Sequence, residues 1–384
     1  MKLLLGIFLL TAAGGCIEKY NAPVSSPETG YLVVEGFINT GNGPTTIKLS
    51  RTTKLDSVFV NPEPFAQVSV EGDDNSAVSL LSEGNGLYTC PQVPINPGHL
   101  YRLRIQTGDG NTYLSDYIQP KITPPIDSVS WKADNNQATV FVTTHDPQNN
   151  TIYYQWNYVE TWKYHSRYES SQEYDNNGGV INRPVADMIY YCWRTDSSSD
   201  ILLASSAKLG ADLIYENPLS HIEYANSDKL FLEYSILVKE HALSKGAYDF
   251  LSKMKKNTEQ LGSIFDAQPS QLSGNIHCIT DPTLPVIGYI YASSETQKRI
   301  FIARGDLPPD AVVFSGYESC QQDTLKFPTT LQFMNATFAG DQYLPIRYWL
   351  PPGVPAPLGI LYSDAECVDC RVHGGTTQKP DFWP

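Results

Sequence analysis

Three groups of residues in this sequence could carry chemistry. The first is Cys367-Val-Asp-Cys370-Arg-Val-His373, whose C-x-x-C spacing fits half a zinc site with His373 as a third ligand, a redox pair, or disulfide-bonded cysteines. A thioredoxin-type pair needs a helix after its first cysteine to lower the thiol pKa, and Gly374-Gly375 argues against one. Disulfide bonding is therefore the favoured reading. The second group is His277 beside Cys278, a ligand or base in principle and more simply a buried, hydrogen-bonded histidine. The third is the aromatic series Tyr153, Tyr154, Trp156, Tyr158, Trp162, Tyr164 and Tyr168, which alternates in part and so could turn one set of rings inward and another outward. Trp156, Trp162 and Tyr164 are the candidate binding surface, because exposed Trp and Tyr give a large contact area at low entropic cost; core packing is the competing reading. No Gly-x-Ser-x-Gly elbow, His-Glu-x-x-His or phosphate loop occurs. No catalytic, cofactor-binding or metal-binding residue is assigned, no cofactor is expected, and the chain is read as a non-enzyme.

A different chemistry stands at the amino end. Lys2, the apolar run Leu3 to Leu10 and the small residues Thr11 to Gly15 lead to Cys16, which is the charge, apolar core and exit of a signal peptide. Small residues before a cysteine resemble a bacterial lipobox, although Ala13 stands where Leu is usual. Cys16 is therefore the expected lipidation site, with an ordinary secretory signal as the alternative. An exported chain meets an oxidising compartment. The other cysteines are even in number; Cys278, Cys320, Cys367 and Cys370 are expected in disulfides, with Cys90 and Cys192 placed second.

The elements that must position these residues are mostly strands. Charged residues make up only 18%, whereas Tyr (24), Pro (27) and Gly (27) are plentiful, which suits a mostly β protein with many turns. A net charge of -14 with no basic stripe excludes nucleic acid as a partner. Residues 1–15 read as the signal peptide and 16–29 as a lipidated, proline-containing tether. Residues 30–120 hold seven strand-like segments separated by turns such as Gly84-Asn85-Gly86, and form a β-sandwich domain similar to immunoglobulin-like and carboxypeptidase regulatory-like modules. After the proline-rich joint Gln119 to Pro125, residues 126–384 form a larger β-rich domain with a disulfide-stapled C-terminal region. Within it, Ala247, Phe250, Leu251, Met254 and Leu261 share one face of an amphipathic helix near 244–262, with Ser244 as N-cap. Residues 166–182, rich in Ser, Asn and Gly, read as a mobile loop.

Several motifs together carry a resemblance over essentially the whole chain. They are Cys16 with its tether, Ile126-Asp127-Ser128-Val129, Tyr191-Cys192-Trp193, Gly274-Asn275-Ile276-His277-Cys278, and the tail from Cys367 through Gly374-Gly375-Thr376-Thr377 to Pro384. The chain resembles a Bacteroidota family of outer-membrane lipoproteins known only as a domain of unknown function and encoded beside TonB-dependent receptors. The resemblance implies an accessory binding partner of a TonB-dependent transporter, assisting capture or delivery of a nutrient. The implied partners are that receptor, the membrane through the lipid, and a small nutrient, glycan or peptide ligand. The implied location is the outer membrane, on the cell surface or on the periplasmic face. An envelope hydrolase and a surface adhesin are the alternatives.

Overall fold

Short runs of β-branched and aromatic residues, broken by Gly and Asn, become strands in a computed structural model that describes residues 30–53, 61–134, 136–177, 179–259 and 274–384. The expected signal peptide, Cys16, the tether and residues 260–262 of the expected helix lie outside the described residues. The fold is mostly β, as the composition predicts.

All seven strands expected between residues 30 and 120 are present: Leu32–Asn39, Thr45–Arg51, Gln67–Gly72, Ala77–Gly84, Leu87–Cys90, Tyr101–Gln106 and Thr112–Ser115. Ala77–Gly84 pairs with Gln67–Gly72 through its first half and with Leu87–Cys90 through its second, so one sheet folds over on itself. Leu32, Ile47 and Leu49 from one leaf meet Val68, Val70, Leu103 and Ile105 from the other in a common core. Each such side chain, once buried, contributes roughly 1.5–3 kcal/mol. Asn85 and Gly86 have φ of 50° and 75°, the left-handed pair that a two-residue hairpin turn requires. Gly86 is also fixed by space, since a Cβ there would stand 2.2 Å from the Leu49 carbonyl oxygen.

This sandwich is completed from far along the chain. Ile276–Cys278 pairs antiparallel with Thr112–Ser115, while Val286–Gly288 and Ala292–Ser293 run parallel to Leu32–Asn39. These residues follow the proline-rich joint in sequence and lie before it in space. The joint is pinned where they return: Thr123 donates its backbone N–H to Ser294 Oγ at 2.8 Å, and its Oγ1 accepts from the Ala242 N–H at 3.0 Å.

Beyond the joint, Ile126–Ala133, Gln137–His145 and Leu213–Glu223 form one sheet. Tyr191–Ser197, Tyr153–His165, Glu233–Leu243 and Glu295–Ala303 form a second. Their inner faces share a core that includes Val140, Val142, Trp156, Trp162, Tyr234 and Ile236. Trp156, Trp162 and Tyr164 are 0%, 2% and 1% exposed, which corrects the expectation that they form a binding surface. Alternation places them on one face of their strand, and the facing sheet makes that face the core. Trp156 Nε1 donates to Glu240 Oε2 at 2.7 Å, and Tyr164 Oη donates to the Cys370 carbonyl at 2.7 Å.

The expected amphipathic helix is α1, Lys245–Glu259, with Ser244 Oγ accepting from the Ala247 N–H at 3.2 Å as its cap. Its buried face carries Ala247 and Phe250, the latter with its ring 5.5 Å from that of Tyr289. Two shorter helices, α2 (Leu331–Phe338) and α3 (Ala365–Val368), join a third sheet of Asp323–Lys326, Gly359–Asp364 and Tyr343–Trp349. Residues 166–182 are not the loop expected from their composition. Gln172–Asp175 and Gly179–Asn182 pair as a hairpin, and Val180 and Tyr174 pack on Phe338 and Ile360. The chain ends docked on its own fold: Trp193 and Thr376 exchange backbone hydrogen bonds, and Trp383 is 5% exposed with Nε1 donating to Glu233 Oε2 at 2.8 Å.

Candidate functional site

The hairpin and the C-x-x-C turn enclose a cavity of about 380 Å³. The hairpin is fastened to the third sheet, with Ser171 N–H donating to the Ile346 carbonyl at 2.9 Å and Ser170 Oγ donating to the Pro345 carbonyl at 2.7 Å. It contributes Glu173 and Tyr174, and Arg183 follows directly. The opposite wall is Asp369, Arg371 and Val372, held by two disulfides, Cys320–Cys367 and Cys192–Cys370. Backbone bonds add to the clamp: Tyr168 N–H donates to the Cys367 carbonyl and Cys370 N–H to the Ile189 carbonyl, both at 3.0 Å. Asp341 stands exposed at the rim.

The charges on these walls are unequally satisfied. Asp369, 8% exposed, accepts two bonds from Arg371 Nε at 2.9 and 3.1 Å and one from Nη2 at 2.7 Å. That pairing holds the Arg371 guanidinium above its ordinary range, through its hydrogen bond to Asp369. Arg183 is different. Its side chain is only 8% exposed, its Nη1 reaches Glu173 Oε2 at 3.4 Å and the Asp187 carbonyl at 3.5 Å, its Nη2 donates to the Gln172 carbonyl at 3.0 Å, and its Nε has no partner. Burial pulls its pKa down, and the charge of Glu173 opposes the fall without cancelling it. The hydroxyl of Tyr174 is likewise buried without a partner. A buried cation short of partners costs free energy, and that cost falls when an anion or acceptor oxygen arrives. These walls can hold a ligand through charge and hydrogen bonds.

Two other recesses are built differently. An open cleft of about 920 Å³ is lined by Asp134, Glu223 and Asp310. Asp134 is spent on the backbone N–H groups of Asn136 and Gln137, and Glu223 on Asn226. A third recess, of about 420 Å³, lies between α1 and the first sandwich and is lined by apolar groups such as Val34, Phe37, Phe250 and Met254. Three other buried carboxylates, Glu160, Asp212 and Glu240, line none of these recesses. Each is bonded within the core instead: Glu160 to Lys229 and Tyr234, Asp212 to Tyr154 and Ser206, Glu240 to Trp156 and Thr144. Among the described residues no cluster of His, Cys, Asp or Glu is arranged to hold a metal ion.

The cysteines are arranged partly as expected. Cys320, Cys367 and Cys370 are disulfide-bonded, and the two of the C-x-x-C motif have different partners rather than each other. Cys192 is one of those partners. Cys278 is not, which corrects the expectation that it is paired: it is a buried free thiol, as is Cys90. Cys278 lies on a strand that returns to the first sandwich, whereas Cys367 and Cys370 lie in α3 and the turn after it. His277, on the same strand, points outward with its side chain 62% exposed, 3.4 Å from Asp116, and is not the buried histidine expected. His373 Nε2 lies 3.0 Å from the Glu366 carbonyl, and both neighbouring cysteines are oxidised, so the motif has no thiolates to offer a metal. Sequence reasoning missed Glu173, Tyr174 and Arg183. The available signal was a pair of short alternating segments flanking Asp175-Asn176-Asn177, a hairpin pattern hidden in a polar composition.

Fold and cavity together define a mostly β, disulfide-cross-linked protein with a polar recess. The chain belongs to the family described as a domain of unknown function (DUF4249), whose model matches residues 17–299. That span includes Glu173, Tyr174 and Arg183, whereas the opposite wall lies beyond it. No curated protein matches the chain. A solved structure of a candidate carbohydrate-binding protein from Bacteroides uniformis aligns with 56% of this chain and 90% of its own length, at 11% identity and a TM-score of 0.16. A likeness at that score carries no argument about function.

Proposed function

We propose that this protein is a lipid-anchored binding protein of the outer membrane, an accessory of a TonB-dependent transporter that helps capture or deliver a small nutrient. The observation that carries the binding role is the cavity of about 380 Å³ in which the buried Arg183 lacks a partner at Nε while two disulfides hold the facing wall. Rigid walls reduce the ordering cost of binding. Disulfides in the described fold fit an oxidising compartment. The transporter and the anchor rest on the sequence: the segment ending at Cys16 and the resemblance carried by the tail motifs. A lipid confines the protein to the transporter's surface, so a modest contact affinity gives high occupancy.

Metabolic labelling with alkyne-palmitate tests the anchor. Label should enter the wild type and follow the outer-membrane fraction, whereas Cys16→Ser should lose the label and leave that fraction. Membrane retention of the unlabelled variant would remove the lipid from the mechanism.

A further inference from the structure

We infer that the cavity takes a small zwitterion, an amino acid or short peptide, with its carboxylate on Arg183 and Tyr174 and its ammonium on Asp341 and Glu173. This inference rests on the binding role proposed above and names its ligand class. The cavity presents both signs of charge in one small space. Once Asp369 and Arg371 are set aside as a satisfied pair, Glu173, Asp341 and Arg183 remain.

On one side, Arg183 Nε and Tyr174 Oη are buried donors without acceptors. On the other, the Asp341 carboxylate has no side-chain partner among the described residues, and Glu173 is held only by the 3.4 Å contact to Arg183. A purely anionic ligand would answer the guanidinium and meet an excess of carboxylates. A neutral polyol could bond to both sides but would leave the 3.4 Å contact to Glu173 as the counter-charge of Arg183 and add none. An α-amino carboxylate supplies the missing acceptor and the missing cation in one small molecule. The volume, about 380 Å³, is at the small end of the roughly 300–1,000 Å³ usual for ligand sites. Burial of Arg183 strengthens its attraction to a carboxylate, because the local dielectric is low.

Isothermal titration of the purified protein with glycylglycine, L-glutamine and L-lysine, and with N-acetylglycine, glycinamide, glucose and maltose as comparisons, tests the assignment. At least one zwitterion should bind, and the analogues lacking either charge should bind at least about tenfold more weakly, the loss of one charge-assisted bond. Asp341→Asn, at the exposed rim, and Tyr174→Phe, which removes only a hydroxyl, should each weaken that zwitterion several-fold with an unchanged melting temperature. Arg183→Lys, which keeps the charge and loses the planar donor set, should weaken it more. Binding of glucose or maltose that the same substitutions abolish would overturn the zwitterion and leave a binding protein. Zwitterion binding that ignores all three substitutions would overturn the assignment of the cavity. The absence of binding by every compound in the set would overturn both the ligand class and the cavity's binding role.

Discussion

Glu240→Gln should make the protein's stability less sensitive to pH. Glu240 is fully buried in the second core, where burial raises its carboxyl to about 7 and bonds from Trp156 and Thr144 oppose the rise. The folded state therefore holds this proton more tightly than the unfolded chain, whose carboxyl titrates near 4.5. The stability this provides is present below about pH 4.5 and is lost as pH rises through about 7. At about 1.4 kcal/mol for each tenfold change in proton affinity, the move from 4.5 to about 7 is worth about 3 kcal/mol. Glutamine resembles the protonated acid, since its carbonyl can accept from Trp156 Nε1 and its amide can face Thr144 Oγ1. Guanidinium unfolding, followed by tryptophan fluorescence at pH 5 and pH 8, should show the variant gaining about 2–3 kcal/mol on wild type between the two conditions. Any constant offset from altered packing cancels in that difference. An equal difference at both pH values would refute the reasoning, and would mean that the two donors compensate for burial and leave the carboxyl in its ordinary range.

Other expectations follow from the covalent and packed ends of the fold. Denatured without reductant, the protein should, among its described cysteines, take iodoacetamide at Cys90 and Cys278 but not at Cys192, Cys320, Cys367 or Cys370, as peptide mapping would report. Replacing the Cys192–Cys370 pair by alanines should cost about 2–5 kcal/mol in a denaturant titration, because the bridge closes a separation of 178 residues in the unfolded chain. Trp383→Ala should cost about 3–5 kcal/mol, since the ring is buried against Phe301 and Trp193; an unchanged midpoint would mean that the tail is not docked. Gly375→Ala should lower the melting temperature, because a Cβ there would lie 2.2 Å from Tyr164 Oη.

Local signals in the sequence carried far. Asn85-Gly86 marks a hairpin because few residues tolerate positive φ, and Ser244 marks a helix start because an unpaired N–H needs an acceptor. Information that depends on distant partners was missing. Alternation shows that Trp156, Trp162 and Tyr164 act together but not whether their side of the strand faces water, which the facing sheet decides. Chain proximity grouped Cys278 with the terminal cysteines, whereas strand pairing sends it to the first sandwich and brings in Cys192. Arg183 carries no signal of its own in the sequence, where it follows a polar stretch. It becomes a candidate binding residue only when the hairpin and the cross-linked turn enclose it.

Affinity purification of the tagged protein from outer membranes solubilised in mild detergent, with mass spectrometry of what accompanies it, tests the proposed role most directly. Recovery of a TonB-dependent receptor in near-stoichiometric amount is the predicted result. Recovery of the tagged protein alone, from membranes in which the receptor is present and soluble, would contradict the accessory role.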